Sequence, residues 1–154
     1  MAQKNLDWQQ VFGYLQNGLR NALKIIFPFD CRMREPKPAG GNLDLQFGVL
    51  IALTGDVRSR MVLAGMPDVF QSLAKSMYGM DLEGEMLASF SGELGNMIAG
   101  TLSQSMETNG LRTAVTAPTI MEGDTVLSGY DRAVKIPIEL DSSGSLELFL
   151  LIDS

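Results

Sequence analysis

A carboxylate, a carboxamide and a hydroxyl recur along the segment Ser89 to Gly100, which reads SFSGELGNMIAG. Ser89, Glu93, Asn96 and Gly100 are spaced four, three and four, so on a helix they share one face. Phe90, Leu94, Met97 and Ile98 fall largely elsewhere and can meet a core. The face therefore presents a carboxylate and a carboxamide one turn apart, with a hydroxyl one turn before them, which another protein's surface could reach. Three glycines interrupt the same stretch, at Gly92, Gly95 and Gly100. Each costs a helix interior about 1 kcal/mol relative to alanine. Two explanations stay open: close packing, which suits Gly100 beside Ala99, or access. Gly92 and Gly95 immediately precede Glu93 and Asn96, so their missing side chains could give a partner clearance.

The rest of the sequence limits the chemistry. The chain of 154 residues has no histidine and a single cysteine, Cys31. A zinc site, a Ser-His pair and a Cys-His pair are therefore not expected. No intrachain disulfide can form, which fits a reducing cytoplasm. The net charge of −6 argues against nucleic acid and anionic membrane surfaces as partners. No signal-peptide pattern opens the chain, and no apolar run approaches the roughly 20 residues of a membrane span.

The elements that must position the Glu and Asn follow from periodicity. Phe12, Leu15, Leu19, Leu23 and Ile26 predict an amphipathic helix over 5–27, ended by Pro28. Residues 30–37 read as extended and polar, and 36–41 as a turn. Residues 43–54 and 57–64 predict a hairpin about Thr54-Gly55-Asp56. Pro67 and Gly79 bracket a short helix with Leu73 and Met77 on one face. Asp81 is the expected N-cap of a long helix over 82–107, stopped by Asn109-Gly110. Short strands are expected near 112–116 and 118–121. Alternation predicts a last hairpin, 134–140 and 146–152, joined by 141–144. Pro137 suggests that its strand is an edge or is bulged. A helix-then-strands order occurs twice, in 5–64 and 82–153, either as an internal repeat or as a chance order. With no linker in the sequence, we expect one α+β domain over 1–154, a mostly antiparallel sheet packed with two long helices and one short helix.

GELGNMIAG resembles the signature helix of the CheC/CheX/FliY chemotaxis phosphatases, and most closely that of CheX. The wider signature is an Asp or Ser, Glu four residues on, Asn three further, then a Pro a little over twenty residues later. Here it is Ser89, Glu93, Asn96 and Pro118. LIALTGDV and MYGMD before the helix, and TAPTIM and VKIPIEL after it, carry the likeness over residues 43–152. The resemblance implies a pseudo-symmetric fold and a phosphatase acting on the phosphoaspartate of a CheY-type receiver. It implies that Asn96 positions the attacking water and that Glu93 pairs with the receiver's lysine. Ser89, Gly92, Gly95 and Pro118 would support or permit docking. No cofactor or metal is expected on this chain, since the Mg²⁺ belongs to the receiver. A homodimer formed through the sheets is implied as well. Relatives with two signatures carry Glu-x-x-Asn on both long helices. Residues 5–27 hold no glutamate, so one site per chain is expected. The alternative is a non-catalytic docking module for a receiver or a flagellar-switch component. The ten methionines, among them Met61, Met66, Met77, Met80, Met86 and Met97, read as core filler. Arg58 and Arg60 read as solvated on a strand face, and Trp8 as a packing residue or a partner anchor.

Overall fold

A computed structural model describes residues 7–141 and 143–152. The expected helical start at residues 5 and 6 therefore lies outside the described residues, as does position 142 of the last hairpin loop. Helix α1 spans Trp8–Ile26, with the Asp7 carboxylate accepting from the Gln9 amide at its start. Strands β1 (Cys31–Met33), β2 (Lys37–Pro38), β3 (Leu43–Gly55) and β4 (Ser59–Ala64) follow. Helices α2 (Pro67–Tyr78) and α3 (Gly84–Thr108) lead into β5 (Thr113–Val115), β6 (Thr119–Leu127), β7 (Arg132–Leu140) and β8 (Gly144–Ile152). The order is α+β, and every strand pair in the sheet is antiparallel.

The sheet runs β1-β7-β8-β4-β3-β5, with β2 also on β7 and β6 also on β3. Exchanging α1 with α3, β1 with β5, β2 with β6, β3 with β7 and β4 with β8 reproduces this set of pairings. The helix-then-strands order is thus a topological repeat. The two halves meet where β4 pairs with β8 and where α1 packs on α3.

Alternation sets the core. Val49, Ile51, Met61, Leu63, Ile136, Leu148 and Leu150 point to the helices and are fully buried with Leu15, Leu19, Leu94, Ile98 and Leu102. Val62, Phe149 and Leu151 point the other way and form a second cluster with Leu43, Leu45 and Met121. Leu43 and Leu45 share the parity of Phe47 and Val49 yet join the opposite cluster. The change coincides with a register shift between Leu45 and Phe47, where β6 carries an extra residue opposite Gln46. Gly123, at φ 80°, takes the left-handed conformation this bulge needs.

Four expectations need correction. The N-cap of α3 is Glu83, without a side-chain cap bond, and Asp81 instead pairs with Lys75 at 3.3 Å. Strand β6 runs six residues beyond the expected end at 121, through a polar stretch that the bulge accommodates. Strand β7 is not an edge, because β1 and β2 both lie along it. Pro137 falls in the gap between them and is asked for no ladder donor, while its carbonyl accepts from the Arg34 amide at 2.8 Å. Finally, Met66, Met80 and Met86 are exposed rather than core filler.

Cys31 is half-buried at the start of β1. Burial pushes its thiol up, and the neighbouring Asp30 adds to this. The thiolate is the reactive form. At pH 8 the folded chain should therefore react with iodoacetamide more slowly than the same chain unfolded in urea, as read by mass spectrometry over time.

Candidate functional site

Helix α3 is the platform. Its buried side, which includes Leu87, Leu94, Ile98 and Leu102, faces the core. Its exposed side carries Glu85, Ser89, Glu93 and Asn96 in one stripe. Ser91 inside the helix donates to the Leu87 carbonyl at 2.7 Å, so this buried hydroxyl is satisfied within one turn.

Beside the stripe lies an open groove of about 520 Å³. Glu85, Ala88, Ser89, Gly92, Glu93 and Asn96 form its helical wall, with Pro118 and Ile120 opposite. The structure thus gathers Ser89, Gly92, Glu93, Asn96 and Pro118 around one opening. Sequence reasoning missed Glu85, Ala88 and Ile120. Glu85 could have been found four residues before Ser89, on the same face. Ile120 was detectable two residues beyond Pro118, on the same side of a strand.

Gly95 does not line the groove, and the glycine roles are reversed from the expectation. A Cβ on Gly95 would lie 2.9 Å from Val49 Cγ1 and 3.2 Å from Ile51 Cδ1, inside contact distance. Gly95 therefore lets α3 settle onto β3. A Cβ on Gly92 would meet Ile120 Cδ1 at 3.2 Å and Pro118 Cγ at 3.4 Å. That glycine seats the helix against the opposite groove wall, so Gly92→Leu would press on this wall rather than leave folding untouched. Gly100 has no such neighbour within 4 Å, so it is not a packing glycine.

Among the described residues, the side chains of Ser89, Glu93 and Asn96 have no hydrogen-bond or ion-pair partner. Ser89 therefore makes no hydrogen bond to Glu93. Two carboxylates, Glu85 and Glu93, stand on the groove, and among the described residues no cation lines it. The site can therefore offer an amide for a water or an oxyanion and a carboxylate for an incoming ammonium. Among the described residues, no three Cys, Asp or Glu side chains gather as a metal cluster. Arg58 lies in the turn before β4 rather than on a strand face, Arg60 is half-buried on β4, and Trp8 packs on the core. No helix among the described residues is long and apolar enough to cross a membrane.

The fold is one already seen in chemotaxis proteins. The chain is similar to the crystal structure of a CheX from Desulfovibrio desulfuricans, with a TM-score of 0.78 at 14% identity, over 94% of this chain and 99% of that one. It is also similar to CheX in a CheX–CheY–BeF₃–Mg²⁺ complex from Borrelia burgdorferi, with a TM-score of 0.77 at 17% identity, over 93% and 97% of the two chains. The family model for chemotaxis phosphatase CheX matches residues 47–139, more than half of the chain. The chain belongs to the CheX chemotaxis phosphatase family. Among curated proteins it is similar to the CheY-P phosphatase CheX of Thermotoga maritima, 28% identical over 109 residues, which is 68% of this chain and 70% of that protein.

Proposed function

We propose that this protein hydrolyses the phosphoaspartate of a CheY-type receiver, with Asn96 positioning the attacking water and Glu93 pairing with a receiver lysine. The observation that carries the reading is the juxtaposition of Glu93 and Asn96, both exposed and unpartnered, on one groove of a CheX-family chain. The Mg²⁺ of the reaction belongs to the receiver, and the complex of the B. burgdorferi relative with CheY, BeF₃ and Mg²⁺ supports that division.

The chemistry suits these groups. Phosphoryl transfer proceeds through a loose transition state, so catalysis is chiefly positioning and electrostatics. Water attacks the phosphorus as the bond to the aspartyl oxygen breaks, and the electron pair returns to that carboxylate. The water's proton leaves with the inorganic phosphate. The Asn96 amide orients this water without titrating and brings no negative charge to the phosphoryl oxygens. Glu93 stands one turn away, where its charge meets an ammonium rather than a phosphate. Ser89 and Pro118 shape the opening, and Gly92 and Gly95 set its depth.

Dimerisation is part of the same reading. Strand β6 pairs only with β3 among the described residues, which leaves one of its edges available to a second copy.

The test is loss of phosphoaspartate from CheY-type receivers, with the native chain in catalytic amount. The native chain accelerates it. Glu93→Ala should weaken binding to the BeF₃-charged receiver about thirtyfold, because the lysine loses its partner. Binding without acceleration would leave a docking module, and absence of binding to every receiver would defeat the reading.

A further inference from the structure

The stripe on α3 has two flanks. Pro118 and Ile120 form one. The other is apolar and exposed. Tyr78 is 56%, Met80 45% and Met86 59% accessible, so among the described residues three of the six exposed large hydrophobic residues fall within one nine-residue stretch. The Tyr78 ring packs edge-on against Phe90, with centroids 5.9 Å apart. Phe90 lies one turn after Met86 and just under one turn before Glu93. Met86 precedes Glu93 by seven residues, nearly two full turns, so the two point in almost the same direction. Met97, half-buried one turn beyond Glu93, extends the same edge.

We propose that Tyr78, Met80 and Met86 form an apolar docking surface for side chains of the CheY-type receiver that border its phosphoaspartate pocket. This inference rests on the reading of Asn96 and Glu93 given above. Geometry selects the occupant. Met86 lies about 15 Å from Asn96 along the helix, at about 1.5 Å per residue. A compact domain of about 100 residues has a radius of gyration of about 13 Å. A receiver whose phosphoaspartate reaches Asn96 is therefore large enough to cover Met86 as well. The patch is also rimmed by two exposed acids, Glu83 and Glu85, which continue the negative field of Glu93 toward a lysine-bearing partner, while Asp81 beside them is paired with Lys75.

The side-chain types indicate what the patch does. Methionine is unbranched and polarisable, and it conforms to differently shaped apolar partners. Glu93 and Asn96 can recognise what receivers have in common, the lysine and the phosphoryl group. The methionines supply contact area outside that common core, and so tune which receiver is held longest.

The experiment measures kcat and KM on a phosphorylated CheY-type receiver, together with binding to the same receiver charged with BeF₃ and Mg²⁺. Met80→Ser/Met86→Ser should raise KM and the dissociation constant about tenfold while kcat stays within about twofold. Met80→Leu/Met86→Leu should restore both. Both residues are exposed, and matching melting curves establish that the variants fold. If the native chain is active and the serine variant binds and turns over unchanged, the patch is not a receiver surface. If the variant instead shifts the sedimentation of the chain alone with no change in KM, a second copy is the occupant and the proposal fails. If the native chain neither binds nor accelerates any receiver, this inference falls together with the reading it rests on.

Discussion

Asn96→Ala should cut turnover of the phosphorylated receiver by about a hundredfold or more, with binding to the BeF₃-charged receiver within about twofold of the native chain. The size follows from what the amide does. A preorganised polar group aimed at the reacting centre is worth on the order of 10²–10³ in rate when removed. The separation of rate from binding follows from the proposed roles. In that mechanism Asn96 acts on a water, whereas Glu93 supplies the charge that holds the partner. Folding should not confound the result, because Asn96 is exposed and unpartnered and alanine is the better helix former. Asn96→Asp sharpens the test. It keeps the shape and adds a charge beside the phosphoryl oxygens, so it should be at least as damaging as alanine. If Asn96→Asp retained activity, the residue would be filling space rather than orienting water. If Asn96→Ala lost binding and turnover in equal measure, the amide would be a docking group.

Opposite outcomes are expected from two glycines five residues apart on α3. Gly95→Ala forces a methyl within 2.9 Å of Val49 Cγ1, and both Val49 and Ile51 are fully buried. Overpacking a tight core costs about 1–3 kcal/mol, against a helix-propensity gain of about 1 kcal/mol. The net loss should be about 1 kcal/mol, and considerably more for Gly95→Leu. Gly100→Ala meets open space on a helical backbone and should gain about 0.5–1 kcal/mol. In a domain of this size, 1 kcal/mol moves Tm by about 2–4 °C. Thermal melts should therefore place the two alanine variants on opposite sides of the native chain. Equal shifts in one direction would mean that α3 is not seated on β3 at Gly95. The site senses the same contact, because lifting α3 from the sheet changes the height of Asn96 relative to Pro118. Gly95→Ala should thus lower receiver turnover by more than its stability loss accounts for at a temperature where it remains folded.

This reversal shows where the sequence was readable and where it was not. Spacing located the exposed stripe of α3, because residues three and four apart must share a face. The same spacing places Gly100 four residues after Asn96, on that exposed stripe, which excludes it from the core. Gly92 and Gly95 each precede an exposed residue by one position, a turn of about 100°. Which side they turn toward depends on where the sheet lies, and only tertiary structure supplies that. Composition and alternation likewise gave the four central strands, where both neighbours are Leu, Val and Ile. They failed at β6, whose middle, Glu122-Gly123-Asp124, reads as a loop until Gln46 and the bulge account for it. The strand β7 was found, but its expected edge position failed for a related reason. A proline disqualifies a strand only where a donor is required, and the gap between β1 and β2 removes that requirement. The start of α3 was misjudged because Asp81 is a good cap by type, yet Lys75 on the preceding helix engages it instead. Missing the exposure of Met80 and Met86 had a similar origin, since hydrophobicity says nothing about which apolar residues a small sheet leaves uncovered.

The exchange symmetry of the fold has an evolutionary consequence. A protein drawn twice from one plan need be skilled only once. Helix α1 occupies the place that mirrors α3, yet Trp8–Ile26 holds no glutamate, and its apolar face is spent on packing. On the proposed reading, the half built on α1 carries no Glu-x-x-Asn pair, while the half built on α3 combines packing with the partner's site. Substitutions on the solvent side of α1 should accordingly drift freely among descendants of this chain, while their counterparts on α3 stay fixed. A library randomised equally over both exposed faces and selected for receiver turnover would expose that lopsidedness directly.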